Sequence, residues 1–168
     1  SVEQRAPGPV PHLRFHLHFP EPDPGDWARA DSVGIPLARL TFDYDGVRVL
    51  PEDDREIIQQ AVDGDLIRIR RNGTLEDEAV DRLEAMGFVD AGEVLLPAEY
   101  EFDDGVAGGF LPDPGDGDIA SFLIAFAREA VPLLRTAGWI VEFDEDYPFR
   151  VIEGEPQWYA EVSEVAGE

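Results

Sequence analysis

The sequence predicts one α+β domain built from antiparallel hairpins and two amphipathic helices, and three patterns carry that reading. Alternating apolar runs are joined by Asp-Gly pairs, at Asp45-Gly46 and again at Asp63-Gly64. Two later stretches repeat their apolar residues at helical spacing, one after Thr74 and one after Asp118. A strand-like run from Trp139 to Phe143 then closes the order strands, helix, helix, strands. A chain of 168 residues, 43% of them hydrophobic, suits a single core. We expect residues 1–11 to be a flexible lead-in and residues 12–168 to form the domain, with no internal repeat.

The first strand is predicted where Leu13, Phe15, Leu17 and Phe19 alternate with Arg14, His16 and His18, and Pro20 to Gly25 breaks it. The next alternation, Ala38, Leu40, Phe42 and Tyr44, runs through Asp45-Gly46 into Val47 to Val49. Asp-Gly is a strong hairpin signal because a type I′ turn needs positive φ at both central residues. Ile57 to Val62 is compatible with a helical turn or a strand, and Asp63-Gly64 followed by Leu66 to Arg70 favours a second hairpin.

In the first helix Leu75, Ala79, Val80, Leu83 and Met86 share a face, Thr74 is the candidate cap with Asp77 at the capping-box position, and Gly87 is the stop. Residues 92–118, rich in Gly, Pro and Asp, are expected to form a long connection with one short strand near Val94 to Leu96. The second helix begins at Asp118, places Ile119, Phe122, Leu123, Phe126, Ala130, Leu133 and Leu134 on one face, and ends at Gly138. Pro132 lies inside it. An interior proline costs about 3 kcal/mol, so a kink or a restart with Pro132 in a first turn is expected. Phe149 to Ile152 and Gln157 to Val162 complete the strand-like segments.

The composition excludes several mechanisms. All 13 basic side chains are Arg, against 37 Asp and Glu, for a formal net charge of -24. A chain without Lys has no Walker phosphate loop, no Schiff-base nucleophile and no Lys general base, and so acidic a chain repels nucleic acid. The excess grows along the chain: 6 Arg face 11 acids in residues 1–60, 4 face 13 in residues 61–110, and 3 face 13 in residues 111–168. Adaptation of an ordinary surface to salt explains this more simply than a binding function does. Without Cys there are no disulfides or thiolate metal sites, and without a run of about 18 apolar residues there is no membrane span. No signal-peptide block opens the chain, so a cytoplasmic location is expected.

Few residues carry chemistry. His12, His16 and His18 share one face of the first strand, a geometry open to zinc, but Arg14 projects between them and a solvated face is the simpler expectation. Arg68, Arg70 and Arg71 form the basic cluster, suited to an anion or a partner, with neighbouring Glu76, Asp77, Glu78 and Asp81 as nearer counter-charges. Acid pairs such as Asp144 with Asp146, or Asp103 with Asp104, arise by abundance alone, and Asp113 to Asp118 contains Pro114 and lacks the calcium-loop Glu. Gly-x-Ser-x-Gly, paired His-Glu and dinucleotide motifs are absent, so no catalytic residue is assigned. Trp139, Phe149, Trp158 and Tyr159 are expected to pack in the core, with an interface role second.

Leu133-Leu134-Arg135-Thr136-Ala137-Gly138-Trp139, Asp146-Tyr147-Pro148-Phe149-Arg150-Val151 and Trp158-Tyr159-Ala160-Glu161-Val162 together resemble the accessory region ahead of the motor in bacterial Swi/Snf-type helicase-like ATPases. Arg70-Arg71, Met86-Gly87-Phe88 and Pro51-Glu52-Asp53-Asp54 stand in the same order, so the resemblance spans about two thirds of the chain. It implies a noncatalytic fragment of a DNA-dependent ATPase, a docking or regulatory piece whose partner is the motor lobes of the same longer chain. ATP and Mg²⁺ would belong to those lobes, leaving this fragment without a cofactor, without direct nucleic-acid contact and without membrane contact. Two alternatives from other classes are an acidic DNA mimic or protein-interaction module, and a small metal- or carboxylate-dependent enzyme.

Overall fold

A computed structural model describes residues 2–19, 34–94 and 108–149. Among these described residues, nine strands lie in two sheets: β1 (Val2–Arg5), β2 (Val10–His18), β3 (Ile35–Tyr44), β4 (Val47–Val49), β5 (Ile57–Val62), β6 (Asp65–Arg70), β7 (Phe88–Asp90), β8 (Gly109–Pro112) and β9 (Ile140–Phe143). Helix α1 spans Gly73–Ala85, and the second helical stretch comprises α2 (Ile119–Ala125), a π-turn (Phe126–Ala130) and α3 (Val131–Thr136). The smaller sheet has the order β1-β6-β5. The larger has the order β7-β8-β3-β2-β9, with β4 also paired to β3. The α+β class is therefore as the sequence predicts.

Both Asp-Gly turns form hairpins. Asp45 and Gly46 have φ of 56° and 95°, Asp63 and Gly64 of 50° and 84°, which are the left-handed conformations that match the twist of the flanking strands. They join β3 to β4 and β5 to β6 in antiparallel register. Two other pairings are parallel: β1 with β6, and β2 with β9. Residues 2–5, inside the expected lead-in, thus form a sheet strand. The short strands β7 and β8 also differ from expectation, since Gly109 to Pro112 lies within the predicted connection; of the strand expected near Val94 to Leu96, Val94 follows a 3₁₀ turn and the rest lies outside the described residues. β8 exists because β3 and β7 offer it antiparallel partners on both sides, a non-local gain invisible to propensity.

Helix α1 starts earlier than its pattern suggests. Asn72, not Thr74, is the cap: its side-chain oxygen accepts from the Leu75 N–H at 3.0 Å. Leu75 is 42% exposed, whereas Glu76 is buried beside Ala79 and Leu83. The helix ends as predicted at Gly87, φ 105°, whose N–H donates to the Glu84 carbonyl at 3.1 Å. The second helical stretch begins, as predicted, at Asp118, which caps it by accepting from the Ser121 N–H at 2.8 Å. Pro132 then forces the expected adjustment. The Val131 N–H reaches back to the Phe126 carbonyl, a five-residue π step, and Pro132 enters the first turn of α3, where its missing N–H leaves no gap. Leu123, Phe126, Ala127, Val131 and Leu134 are buried, while Ile119 and Leu133, placed on the apolar face by spacing, are 46% and 62% exposed.

One core joins both sheets and the helices. Leu40, Phe42 and Tyr44 of β3 share it with Ile58, Ile67 and Ile69 of the small sheet, with Leu83 of α1 and with Leu134 of α3. Phe15 is its aromatic centre, stacking on Phe143 at 5.1 Å and tilting against Phe126 at 5.8 Å and Tyr147 at 5.5 Å.

Candidate interaction surfaces

The basic cluster is split by its own strand. In β6 the side chains of Ile67 and Ile69 enter the core, so Arg68 and Arg70 lie on the opposite face, while Arg71 follows the strand and turns inward. Arg71 and Glu76 form a buried fork, Nη2 to Oε1 at 2.7 Å and Nε to Oε2 at 3.0 Å, each side chain 7% exposed. The remaining Arg71 protons go to backbone carbonyls, including that of Arg55 at 2.8 Å. Tyr44 donates its hydroxyl proton to Glu76 and accepts from the Asn72 N–H at 2.9 Å. Burial, reinforced by the Glu76 hydrogen bond, pushes the Tyr44 hydroxyl up to about 12. This network ties β3, the loop after β4 and the start of α1 together. Of the four neighbouring acids, Glu76 is the one that reaches an arginine in this way.

Arg68 and Arg70 hold no carboxylate among the described residues. With Gln4, Arg5 and Ile57 they line a cleft of about 130 Å³ on the small sheet, where the register sets Gln4 beside Arg68 and Ile57 beside Arg70. The Arg68 Nε is buried there without a hydrogen-bond partner among the described residues. Arg5 is already engaged, donating to Glu3 at 2.7 Å and to Asp45 at 3.1 Å.

The histidine strand is not a solvated face. His12 and His16 are each 8% exposed, and His16 Nε2 is buried without a hydrogen-bond partner among the described residues. Burial lowers the affinity of both rings for a proton. Arg48 adds to the effect at His12 and Arg14 at His16, against opposing pulls from Asp43 and Asp144. No group of three metal-ligating side chains occurs among the described residues. The expectation of exposed rings fails at His12 and His16, which are buried although Arg14 between them on the same face stays exposed.

Asp144 is held by an arginine from β2. Arg14 grips both of its oxygens, at 2.8 and 2.7 Å, and holds its carboxyl below the usual range. Asp118 is a helix cap, and Asp103 and Asp104 lie outside the described residues. Among the aromatic candidates, Trp139 is 7% exposed within the core, and Phe149 packs edge-on against Tyr147 at 5.5 Å. Trp158 and Tyr159, like the expected strand-like segment Gln157 to Val162 that contains them and residues 150–152 of the one before it, lie outside the described residues. Residues that the sequence did not single out for interaction include Ile140, 42% exposed on β9, the edge strand among the described residues, and Met86 and Phe122, which line a shallow apolar groove of about 230 Å³ beside the π-turn. The only sequence signal for Ile140 was its place in a short apolar run.

The Ala137-Gly138-Trp139 corner has a clear physical basis. Gly138 adopts φ 101°, its N–H donates to the Arg135 carbonyl and the Trp139 N–H to the Leu134 carbonyl, both at 3.0 Å. These two bonds close the helix in a Schellman motif and turn the chain into β9. No helix among the described residues is long and apolar enough to cross a membrane. No family model, no curated protein and no solved structure matches the chain.

Proposed function

We propose that the chain is a noncatalytic accessory domain of a Swi/Snf-type DNA-dependent ATPase and that it docks on the motor lobes of its own longer chain. The observation that carries the reading is the corner at Gly138. The residues that bear the resemblance deliver the chain to β9, which among the described residues is an edge strand bonded to β2 on one side, with Ile140 42% exposed along it. An edge strand with unpaired backbone groups is a surface that a neighbouring lobe can extend. Among the described residues, Arg71, Glu76 and Tyr44 bind one another, and Arg14 holds Asp144.

Purified motor lobes encoded in the same reading frame should capture the 168-residue chain, and Ile140→Asp, at an exposed position, should weaken that capture. The domain alone should show no ATPase activity above blank. A stop codon directly after Glu168, clear turnover by the isolated domain, or failure of the lobes to retain it would each overturn the assignment.

A further inference from the structure

We propose that the cleft lined by Gln4, Arg68 and Arg70 on the small sheet is an oxyanion-binding site, which takes a phosphate or carboxylate group in the fork of Arg68 with Arg70 as a second arm. The site is separate from the β9 edge and stands independently of the docking reading. Its evidence begins with charge. In a chain of 37 acids and 13 arginines, Arg5, Arg14, Arg48, Arg55 and Arg71 each hold a carboxylate, at 2.6 to 3.6 Å. Arg68 and Arg70 hold none among the described residues, although acids are the commonest charged side chains of this protein.

Position explains why. Both project from the face of β6 opposite Ile67 and Ile69, and their cross-strand neighbours there are Gln4, Gln59 and Ile57, none of them acidic. Arg5 closes one side of the cleft with its guanidinium already turned to Glu3 and Asp45, so it neither competes for the ligand nor offers a free charge. The second observation is chemical. Arg68 Nε is shielded from water and without an acceptor among the described residues, and a buried donor without an acceptor is unfavourable. Turning the guanidinium toward the cleft would bring this N–H onto a bound oxygen and satisfy it. The parallel N–H groups of a guanidinium match two oxygens of one phosphate or carboxylate, Arg70 is exposed and able to swing over a third, and the Gln4 amide can donate from the neighbouring strand. The cleft's volume of about 130 Å³ admits one such group and not a nucleotide base beside it.

The test is a titration of the isotopically labelled 168-residue chain with inorganic phosphate and, in a separate arm, with acetate, at ionic strength held constant with NaCl. The Nε–Hε resonance of Arg68 should shift and saturate in at least one arm, together with the backbone amides of Gln4 and Arg70. Saturation with phosphate alone identifies a phosphoryl ligand, and saturation with acetate identifies a carboxylate. Arg68→Gln should abolish the saturable shift and Arg70→Gln should weaken the affinity by about fivefold or more, as expected for loss of one charge-assisted arm. Arg70 is exposed, so its variant keeps the question open to test if Arg68→Gln does not fold. Non-saturating shifts in both arms, or an unchanged curve in folded Arg70→Gln, would overturn the proposal.

Discussion

Arg71 illustrates how a charge becomes structural when the chain encloses it. Its guanidinium and the Glu76 carboxylate are equally shielded, and each is the other's main counter-charge. Removing one member leaves the other buried and uncompensated, so Arg71→Ala should destabilise by about 3–5 kcal/mol in urea unfolding. Tyr44→Phe, which removes one donor and one acceptor from the same network, should lose about 1–2 kcal/mol. If Arg71→Ala left the urea midpoint unchanged, the fork would contribute nothing to folding. The buried histidines make a prediction of opposite electrical sense. Their folded proton affinity lies below the ordinary value of 6.5, so the unfolded chain takes up protons more readily. Their contribution is complete above about pH 6.5 and declines as the pH falls through that value towards their lower folded values. Between about pH 8 and about pH 5.5, before most carboxylates titrate, the wild type should lose stability and a His12→Gln/His16→Gln double variant should lose less. Equal slopes in the two proteins would disprove this.

At the scale of elements, the two helix-ending glycines have the same conformation and different surroundings. Gly138 has φ 101° with open space where a Cβ would stand, while Gly87 has φ 105° and would place a Cβ 2.9 Å from the Phe122 ring. Backbone strain alone should make Gly138→Ala cost about 1–2 kcal/mol. Gly87→Ala adds crowding of a partly buried aromatic ring, a further 1–3 kcal/mol, roughly, for an overpacked contact. Thermal melts of the two variants should therefore rank Gly87→Ala as the less stable, and the reverse order would mean that Phe122 moves aside freely. The π-turn shows the converse adaptation. There the helix changes its own hydrogen bonding ahead of Pro132 and proceeds, so that Phe126 and Val131 both reach the core.

For the molecule as a whole, the dominant quantity is a net charge of -24. The Debye length falls from roughly 30 Å at 0.01 M to roughly 3 Å at 1 M ionic strength, so NaCl should screen most of the self-repulsion. The unfolding midpoint should be higher in 1 M NaCl than in dilute buffer. Chloride is the informative anion because sulfate also strengthens apolar burial. A flat or falling midpoint would show that the arginine pairs already neutralise the carboxylates that matter. Duplex DNA should not bind at either salt concentration, and tight binding would refute the docking role.

Local physics determined what could be read from the sequence alone. The hairpins at Asp45-Gly46 and Asp63-Gly64, the helix start at Asp118, the stops at Gly87 and Gly138 and the disturbance at Pro132 each depend on a few adjacent residues and their allowed φ. The cluster Arg68, Arg70 and Arg71 was likewise visible as a cluster. Tertiary structure decided what those residues do, because it depends on partners distant along the chain. Sheet order, the parallel pairing of β1 with β6 and of β2 with β9, and the strand at Gly109–Pro112 all arise from such partners. So does the fate of each polar side chain. Arg71 meets Tyr44 and Glu76 inside, Arg68 and Arg70 face a cleft completed by β1, and His12 and His16 are enclosed by neighbours on a central strand. Periodicity specifies which residues share a face of an element, but only the packed molecule specifies what that face meets.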